Sequence, residues 1–211
     1  MTIGIAALWW EHVELLPEFV RLMRVRGWDR LLFVDNASSI SAHVAYQVAA
    51  AALGPGASVL RMAENDVLRG WNAGMAALGT DVVVQMSNDV EMMDERWLAW
   101  LLEGLEPGIV LGPIGAHQEG LFYVDGCLCA MMRADWERLG GLDEGYLHPG
   151  YWSDVDLSYR AQLLGMTTRQ TQCGIRHLRN ASTGGTPDAE SQRRWLANRE
   201  RYDARLRVSP L

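Results

Sequence analysis

Residues 81–91 have the sequence DVVVQMSNDVE, in which a run of valines is followed by Ser87, Asn88 and Asp89. The apolar run predicts a strand buried on both faces, because such strands lack the alternation of a half-exposed strand. Residues 30–36, RLLFVDN, repeat the pattern and place Asp35 at the end of a second strand. Either stretch alone could be a turn or a helix cap, where Asp, Asn and Ser are also preferred. Together they predict a ligand site, since ligands bind beyond the carboxyl ends of strands in open α/β sheets.

The rest of the first half alternates between strand-like and helix-like patterns. Strands are predicted at 3–8, 30–34, 58–62 and 81–86, and helices at 15–26, 41–53, 71–78 and 94–105. The second half is less regular, with strands at 108–111, 121–132 and 168–175 and helices at 154–164 and 188–205. We expect Ser41 and Asp94 to cap their helices. This order predicts an α/β protein with a mostly parallel central sheet flanked by helices.

The composition is that of a globular protein without a membrane span. The chain has 211 residues, of which 49% are apolar and 21% charged, and a net charge of -7. No apolar stretch approaches the length needed to cross a bilayer. The N-terminal apolar run follows no basic segment and continues into Glu11, unlike a secretory signal, so a cytoplasmic location is expected.

The three cysteines cannot form a fully paired disulfide set. Cys127 and Cys129 are spaced so that both would point to the same face of a strand. Buried reduced thiols are the favoured interpretation, ahead of a metal or redox role.

The basic residues are unevenly distributed. All 19 are arginine, and ten lie between Arg160 and Arg207. The final helix could therefore contact a polyanion such as DNA that carries hydroxymethylated bases. The alternative, which we favour, is a solvated helix whose arginines pair with Glu190 and Glu200.

Two common phosphate-binding motifs are missing from the sequence. No G-x-G-x-x-G follows the first strand and no G-x-x-x-x-G-K-[ST] occurs, which disfavours dinucleotide oxidoreductases and P-loop phosphotransferases. A phosphate ligand could instead be held through Mn²⁺ or Mg²⁺ bound by a carboxylate and an imidazole. Asp89 and the distant His177 are the candidate ligands.

The densest acidic segment, residues 140–165, contains a candidate general base. Ser153 and Asp156 match a capping box, which would account for Asp156 structurally. Asp154 would then be free to accept a proton if it faces the cleft.

Seven motifs occur in an order that resembles the family 2 inverting glycosyltransferases of GT-A fold. They are VDNASS, an N-x-G formed by Asn72 and Gly74, SNDV, VDG, LGGLDE, SDVDLSYR and a late histidine. The resemblance covers about residues 3–177. It implies the fold of the nucleotide-diphospho-sugar transferases and transfer of a hexosyl group from a nucleotide-diphosphate sugar to an acceptor hydroxyl.

The resemblance also implies roles in donor binding. Asp35 matches the acid that contacts the base and ribose, and Arg69 and Asn72 fall where the family lines the nucleotide pocket. Residues 87–89 match the D-x-D motif, with Ser87 in place of its first acid. Asp89 would bind the metal that bridges the diphosphate, Ser87 and Asn88 would contact the donor, and His177 would complete the metal site.

The remaining implied residues concern the sugar and the acceptor. Asp125 and Gly126 match the segment beside the donor sugar and acceptor. Asp154 matches the aspartate of the E-D motif that acts as base, although Ser153 replaces the glutamate. We place Trp152, which precedes this motif, among the substrate-binding residues.

The domain organisation expected from these matches is a GT-A catalytic domain over residues 1–180. Its nucleotide-binding half covers about 1–110 and its acceptor-binding half about 111–180. Residues 181–211 would form a mobile loop, NASTGGTPD, and an Arg-rich helix packed on the same domain.

Two other functions fit part of the pattern. A protein that binds a nucleotide sugar without turnover could also carry an altered D-x-D motif. A nucleotidyltransferase would share the sheet and the metal-bound nucleotide, but the first strand is followed by ALWWEHVE where those enzymes have a Gly-rich basic loop. The acceptor stays open among a glycan, a small molecule and a modified nucleic acid.

Overall fold

The computed structural model describes residues 1–25, 27–178 and 188–208. The strands are β1 (Ile3–Trp9), β2 (Arg30–Asp35), β3 (Ala57–Arg61), β4 (Val82–Ser87), β5 (Val90–Met92), β6 (Ile109–Gly112), β7 (Gly115–Gln118), β8 (Leu121–Val124), β9 (Leu128–Met132), β10 (Thr167–Gln170) and β11 (Ile175–His177). The helices are α1 (Leu16–Met23), α2 (Ile40–Leu53), α3 (Val67–Ala77), α4 (Trp97–Leu101), α5 (Arg133–Leu139), α6 (Ser153–Leu163) and α7 (Ala189–Val208). Almost all of the predicted mobile loop lies outside the described residues.

The central sheet has seven strands in the order β3-β2-β1-β4-β9-β6-β10. All neighbouring pairs are parallel except those of β9, which is antiparallel to β4 and β6. Trp9 of β1 lies opposite Asp35 of β2, and Leu8 lies opposite Ser87 of β4. The predicted strand ends therefore meet at one edge of the sheet.

Helices cover both faces of this sheet. Ile5 and Ala7 of β1 face a core shared with α1, α2 and α4, whereas Ala6 and Leu8 face a core shared with α3, α5, α6 and α7. This alternation follows from the two-residue period of a strand, and it explains why the central strands contain runs of consecutive apolar residues. The predicted α/β architecture with a mostly parallel central sheet is confirmed.

Helix α3 packs directly on the sheet through two glycines. A Cβ atom at Gly70 would lie 2.6 Å from Leu8, and one at Gly74 would lie 2.6 Å from Val34. Because a larger side chain at either position would displace these neighbours, the glycines let the first turns of α3 lie close to the carboxyl ends of β1 and β2. This packing brings Trp71 to the edge where the strands end.

Two predicted strands are each divided in two. Residues 121–132 form β8 and β9, separated by a turn in which the Asp125 carboxylate accepts a hydrogen bond of 2.9 Å from the Cys127 amide. Residues 168–175 contribute to β10 and β11, and β11 pairs with β5 in a separate antiparallel sheet. Helix α5 and strands β5 and β7 were not predicted from the sequence.

Three expected caps differ from the structure. The N-cap of α2 is Ser39, not Ser41, and its hydroxyl accepts from the Ala42 amide at 3.3 Å. Asp94 precedes a shorter helix than expected, which begins at Trp97 and ends at Leu101. The capping box is wrong, because Ser153 is already helical and the carboxylate of Asp156 pairs instead with Arg160.

All three cysteines are buried and free, as predicted. Burial raises the pKa of the Cys129 thiol to about 12, which keeps it protonated and unreactive. The expected shared face is wrong, because Cys127 precedes β9 and packs in the core of α1, α2 and α4, whereas Cys129 packs in the opposite core. Within the described residues, no helix combines the length and apolar character needed to cross a bilayer.

Candidate active site

A cavity of about 480 Å³ opens at the carboxyl edge of the sheet. Its wall combines the ends of β1, β2 and β4 with α3, the segment between β8 and β9, the approach to α6, and α7. Of the residues predicted from sequence, eight line it: Ser87, Asn88, Asp89, Asp125, Gly126, Trp152, Asp154 and His177. The fold thus brings together residues from both halves of the chain.

Asp89 and His177 face each other in this cavity. Nε2 of His177 lies 3.3 Å from Oδ1 of Asp89, and the Ser87 hydroxyl donates to the same oxygen at 2.7 Å. The pairing of β5 with β11 fixes this approach, since Val90 lies opposite His177 and the Leu178 amide donates to the Asp89 carbonyl at 2.8 Å. Burial alone would raise the pKa of Asp89, but the hydrogen bonds from His177 and Ser87 outweigh it and lower the pKa.

The Asp89 and His177 pair fits a divalent cation. Two ligands at right angles around an octahedral ion, each about 2.1 Å from it, stand roughly 3 Å apart. The observed separation of 3.3 Å is close to that value. The carboxylate is a ligand that suits Mn²⁺ and Mg²⁺, and the imidazole is a ligand of first-row divalent metals more generally. Asp125 and Cys127 also bring potential ligand atoms within 4.8 Å of one another and of His177, although burial raises the pKa of Cys127 and disfavours its thiolate.

Asp154 lies in the first turn of α6 and opens into the cavity. Its carboxylate accepts hydrogen bonds from the Val155 amide at 2.9 Å and, more weakly, from the Gly126 amide at 3.4 Å. Burial and the neighbouring charge of Asp125 raise the pKa of Asp154 to about 6. At neutral pH such a carboxylate is still mostly ionised, yet it is a stronger base than an exposed aspartate.

Trp152 adopts a backbone conformation that bulky residues rarely take. Its φ angle is 74°, in the left-handed region, and Gly150 before it has a φ of 92°. Such strain persists only where the surroundings enforce it. Tyr202 stacks on the Trp152 ring with centroids 5.5 Å apart, and the Arg199 guanidinium lies 4.6 Å from the ring centroid. Helix α7 therefore holds Trp152 at the cavity wall.

Asp35 lies at the predicted strand end but does not line the cavity. It is fully buried, and its carboxylate accepts hydrogen bonds of 2.7 Å from both His43 and Arg61. The Ser38 amide donates a third at 2.9 Å. These contacts stabilise the turn after β2, and a role in base and ribose binding stays a prediction.

Arg69 and Asn72 also lie away from the cavity lining. The Asn72 side chain donates to the Leu142 carbonyl at 2.9 Å and accepts from the Leu142 amide at 2.8 Å. Arg69 is exposed and pairs with Glu144 at 3.4 Å. Both residues thus support the segment after α5, and their predicted place in the nucleotide pocket is untested.

Several cavity residues were missed by the sequence analysis. The missed aromatic residues are Trp10, Trp71, Tyr123, Tyr151 and Trp195, and the missed polar ones include Asn65 and His148. The segment HPGYW at 148–152 carried a usable signal, because bulky aromatic residues directly after a Pro-Gly turn would be exposed near a predicted catalytic helix. Nothing in the sequence indicated that Trp195 reaches the cavity, because its helix lies far along the chain from the other site residues.

No known protein-family profile matches the chain, and no curated protein sequence does. Solved structures do match. The chain superposes on the mannosyltransferase PcManGT from Pyrobaculum calidifontis, described in complex with GDP-Man and Mn²⁺, with a TM-score of 0.66 and 15% identity over 80% of this chain. It spans about half of that protein, 54% of its length.

The chain has the GT-A fold. A second match is the catalytic domain of Drosophila β1,4-galactosyltransferase 7 in complex with xylobiose, with a TM-score of 0.55 and 10% identity over 92% of this chain and 79% of that one. A mutant of the same enzyme with manganese, UDP-Gal and xylobiose gives a TM-score of 0.56. At these identities the matches establish the fold, and the fold class predicted from the motifs is confirmed.

Proposed function

We propose that the protein is an inverting glycosyltransferase that moves a hexosyl group from a nucleotide-diphosphate sugar to an acceptor hydroxyl. The observation that carries this proposal is the position of Asp154, whose pKa is raised to about 6, in the same cavity as the Asp89 and His177 pair. One group can accept a proton, and the other two can hold a cation. An inverting transfer of this kind needs both.

Donor binding depends on charge neutralisation. Among the described residues that line the cavity, three are aspartates and none is arginine, while the whole chain lacks lysine. A diphosphate would be repelled by these carboxylates without a counter-charge. Mn²⁺ or Mg²⁺ held by Asp89 and His177 would supply that charge and stabilise the departing diphosphate. The hydrogen bond from Ser87 orients the Asp89 carboxylate toward this task.

Asp154 acts on the acceptor. Its ionised carboxylate accepts the proton of the acceptor hydroxyl as the oxygen attacks the anomeric carbon from the face opposite the leaving group. The amides of Val155 and Gly126 hold the carboxylate in one orientation. The product then has the anomeric configuration opposite to that of the donor.

The cavity wall is built from both halves of the chain, which supports separate sites for the donor and the acceptor. Trp10, Asn36, Asn65 and Trp71 come from residues 1–110, whereas Tyr123, Tyr151 and Trp152 come from residues 111–180. We assign the donor nucleotide to the first wall and the acceptor to the second, within one catalytic domain that also includes the C-terminal helix.

The arginines of α7 do not favour a nucleic-acid acceptor. Arg199 pairs with Glu119 and Asp203, and Arg201 and Arg205 both pair with Asp143. Arg193 and Arg194 pair with Glu190, as predicted, whereas no ion pair of Glu200 is found among the described residues. Arginines whose charge is balanced within the fold offer less attraction to phosphate groups.

A donor screen tests the proposal. Thermal shift and donor hydrolysis would be measured with GDP-mannose, UDP-galactose, UDP-glucose and UDP-N-acetylglucosamine in the presence of Mn²⁺. We expect one donor to raise the melting temperature and to be slowly hydrolysed, and Asp154→Asn to lower the hydrolysis rate strongly. Glu106→Gln, at an exposed acid remote from the cavity, is the matched control. Stabilisation without any turnover would instead indicate a nucleotide-sugar binding protein, and release of pyrophosphate from a nucleoside triphosphate would indicate a nucleotidyltransferase.

A further inference from the structure

Helix α7 contributes an aromatic residue to the cavity. Trp195 lines the cavity and is 41% exposed. Its ring meets that of Trp152 edge to face, with centroids 5.2 Å apart and an interplanar angle of 62°. Trp152 itself is buried and packs behind Trp195, whereas Trp195 exposes its ring to the cavity. Tyr151 lines the cavity beside them. We call Tyr151, Trp152 and Trp195 the aromatic wall.

The fold holds this wall rigidly. Asn198, which is 1% exposed, accepts a hydrogen bond of 2.7 Å from the Leu147 amide and donates one of 2.9 Å to the Leu147 carbonyl. Arg201 donates to the Asp143 carboxylate at 2.8 Å. These contacts connect α7 to two points, Asp143 and Leu147, of the segment that leads to Trp152. A large exposed aromatic ring that is fixed in this way loses little entropy when a ligand packs on it.

The wall lies on the acceptor side of the proposed reaction. Trp152 is only two residues before Asp154, the proposed base. A hydroxyl that reaches Asp154 must belong to a molecule that passes the adjacent rings. The charged side chains that line the described part of the cavity are carboxylates, which disfavours an anionic acceptor.

We infer that the acceptor is a neutral saccharide whose pyranose ring packs on Trp195, so that α7 forms part of the acceptor site. This inference rests on the proposed function. A pyranose has one face of C–H groups with partial positive charge, and the face of an indole ring carries negative charge. Its equatorial hydroxyl groups point outward near the ring plane, where one can reach a carboxylate while the C–H face stays on the tryptophan.

Direct binding measurements test this inference on the full chain. Cellobiose, lactose, maltose and xylobiose would be titrated by calorimetry, with a hydroxymethylcytosine-containing oligonucleotide and a simple phenol as competing classes. We expect at least one disaccharide to bind and Trp195→Ala to weaken its binding tenfold or more. Trp195→Phe should restore part of the affinity. Leu196→Ala removes the next residue of α7, which is 55% exposed and outside the cavity, and should bind like the parent protein.

Three outcomes would overturn the inference. They are the absence of binding by every disaccharide, equal binding by the Trp195→Ala and parent proteins, and tighter binding of the oligonucleotide or the phenol that depends on Trp195. An unchanged melting temperature of Trp195→Ala separates ligand contact from a structural role. Donor hydrolysis by the parent protein separates the two proposals, because it would persist if only the acceptor class were wrong and would be missing if the transferase function were wrong.

Discussion

Nε of Arg160 donates a hydrogen bond of 2.7 Å to Oδ2 of Asp156, a carboxylate that is fully buried. The other oxygen of Asp156 forms a close ion pair with Arg205 of α7. Arg160 also donates to the backbone carbonyls of Leu139 and Gly141. One buried carboxylate thus connects α6 to α7 and to the turn after α5. Because water cannot solvate it, the two guanidinium groups must stabilise its charge.

The Asp156→Asn substitution should therefore destabilise the fold strongly. It keeps the side-chain shape but leaves two arginines without their shared counter-charge, and breaking a buried pair costs about 3 to 5 kcal/mol. Urea unfolding measures the loss. Glu18→Gln, which breaks the exposed pair with Arg21, is the control and should cost far less, because solvent screens an exposed pair. Equal losses in the two variants would contradict the assignment of Asp156 to a buried ionic network.

Asp156 also shows where sequence reasoning reaches its limit. The spacing from Ser153 to Asp156 fits a capping box, and nothing local distinguishes that from a buried ion pair. The deciding partner, Arg205, lies in another helix and meets Asp156 only through tertiary packing. The sequence places Asp35 at the end of a strand but does not show whether it binds a ligand or stabilises the fold. Its contacts with His43 and Arg61, which answer this for the structure, depend on tertiary packing.

The elements that the sequence did predict share a local cause. The buried strands β2 and β4 are apolar at consecutive positions, so both the strands and the polar residues after them could be located. Helix α5 was missed because it begins at Arg133, directly after the last residue of β9, with no turn residue between the two elements. Local patterns thus located the edge of the sheet that carries the candidate site, and packing decided which side chains reach it.

Metal removal should abolish transfer. EDTA treatment is expected to eliminate activity, and Mn²⁺ or Mg²⁺ should restore it. The charged side chains among the described cavity residues are carboxylates, which would repel the diphosphate of the donor unless a cation is bound. Asp89→Ala should weaken donor binding in a thermal-shift titration. Glu91→Ala, on the same β5 strand but paired with Arg176, should keep normal metal dependence. Full activity after metal stripping would contradict the proposed roles of Asp89 and His177.

Asp154→Asn should lower turnover by on the order of a hundredfold or more while donor affinity is retained. The amide is close in size to the carboxylate but cannot accept the acceptor proton. Steady-state rates at saturating donor, together with the anomeric configuration of the product by NMR, measure the effect. Asp135→Asn alters a carboxylate that binds the Gly108 amide away from the cavity, and it should retain turnover. Near-normal transfer by a folded Asp154→Asn protein would exclude this base.

The pH dependence of kcat/KM should show the titration of the same group. Burial and the charge of Asp125 raise the pKa of Asp154 to about 6, so its base form is lost as the pH falls below that value. We expect kcat/KM to fall about tenfold per pH unit on the acid side of pH 6. A fall in kcat/KM with an apparent pKa near 4 would instead indicate that an ordinary exposed carboxylate is the base. The residual activity of Asp154→Asn should lack the fall below pH 6.

Asp154→Asn should also make the protein more stable at neutral pH. The folded pKa of about 6 lies above the ordinary value of 3.8, so the folded state binds the proton more tightly than the unfolded state. This contribution to stability is present at low pH and is lost as the pH rises from about 4 to 6. Asparagine is neutral at every pH and avoids the loss, which is on the order of 3 kcal/mol.

Thermal unfolding of the two proteins across pH 4 to 8 tests this expectation. The melting temperature of Asp154→Asn should exceed that of the parent by several degrees at pH 7 and converge with it near pH 4. Asp81→Asn supplies a control of opposite sign, because hydrogen bonds from Thr2 lower the pKa of Asp81 and its charged form favours folding. If Asp154→Asn were instead less stable at pH 7, the ionised carboxylate would be part of the structural framework. If the Asp154 charge is buried for catalysis at the expense of stability, the Asp154→Asn protein should be more stable and turn over more slowly.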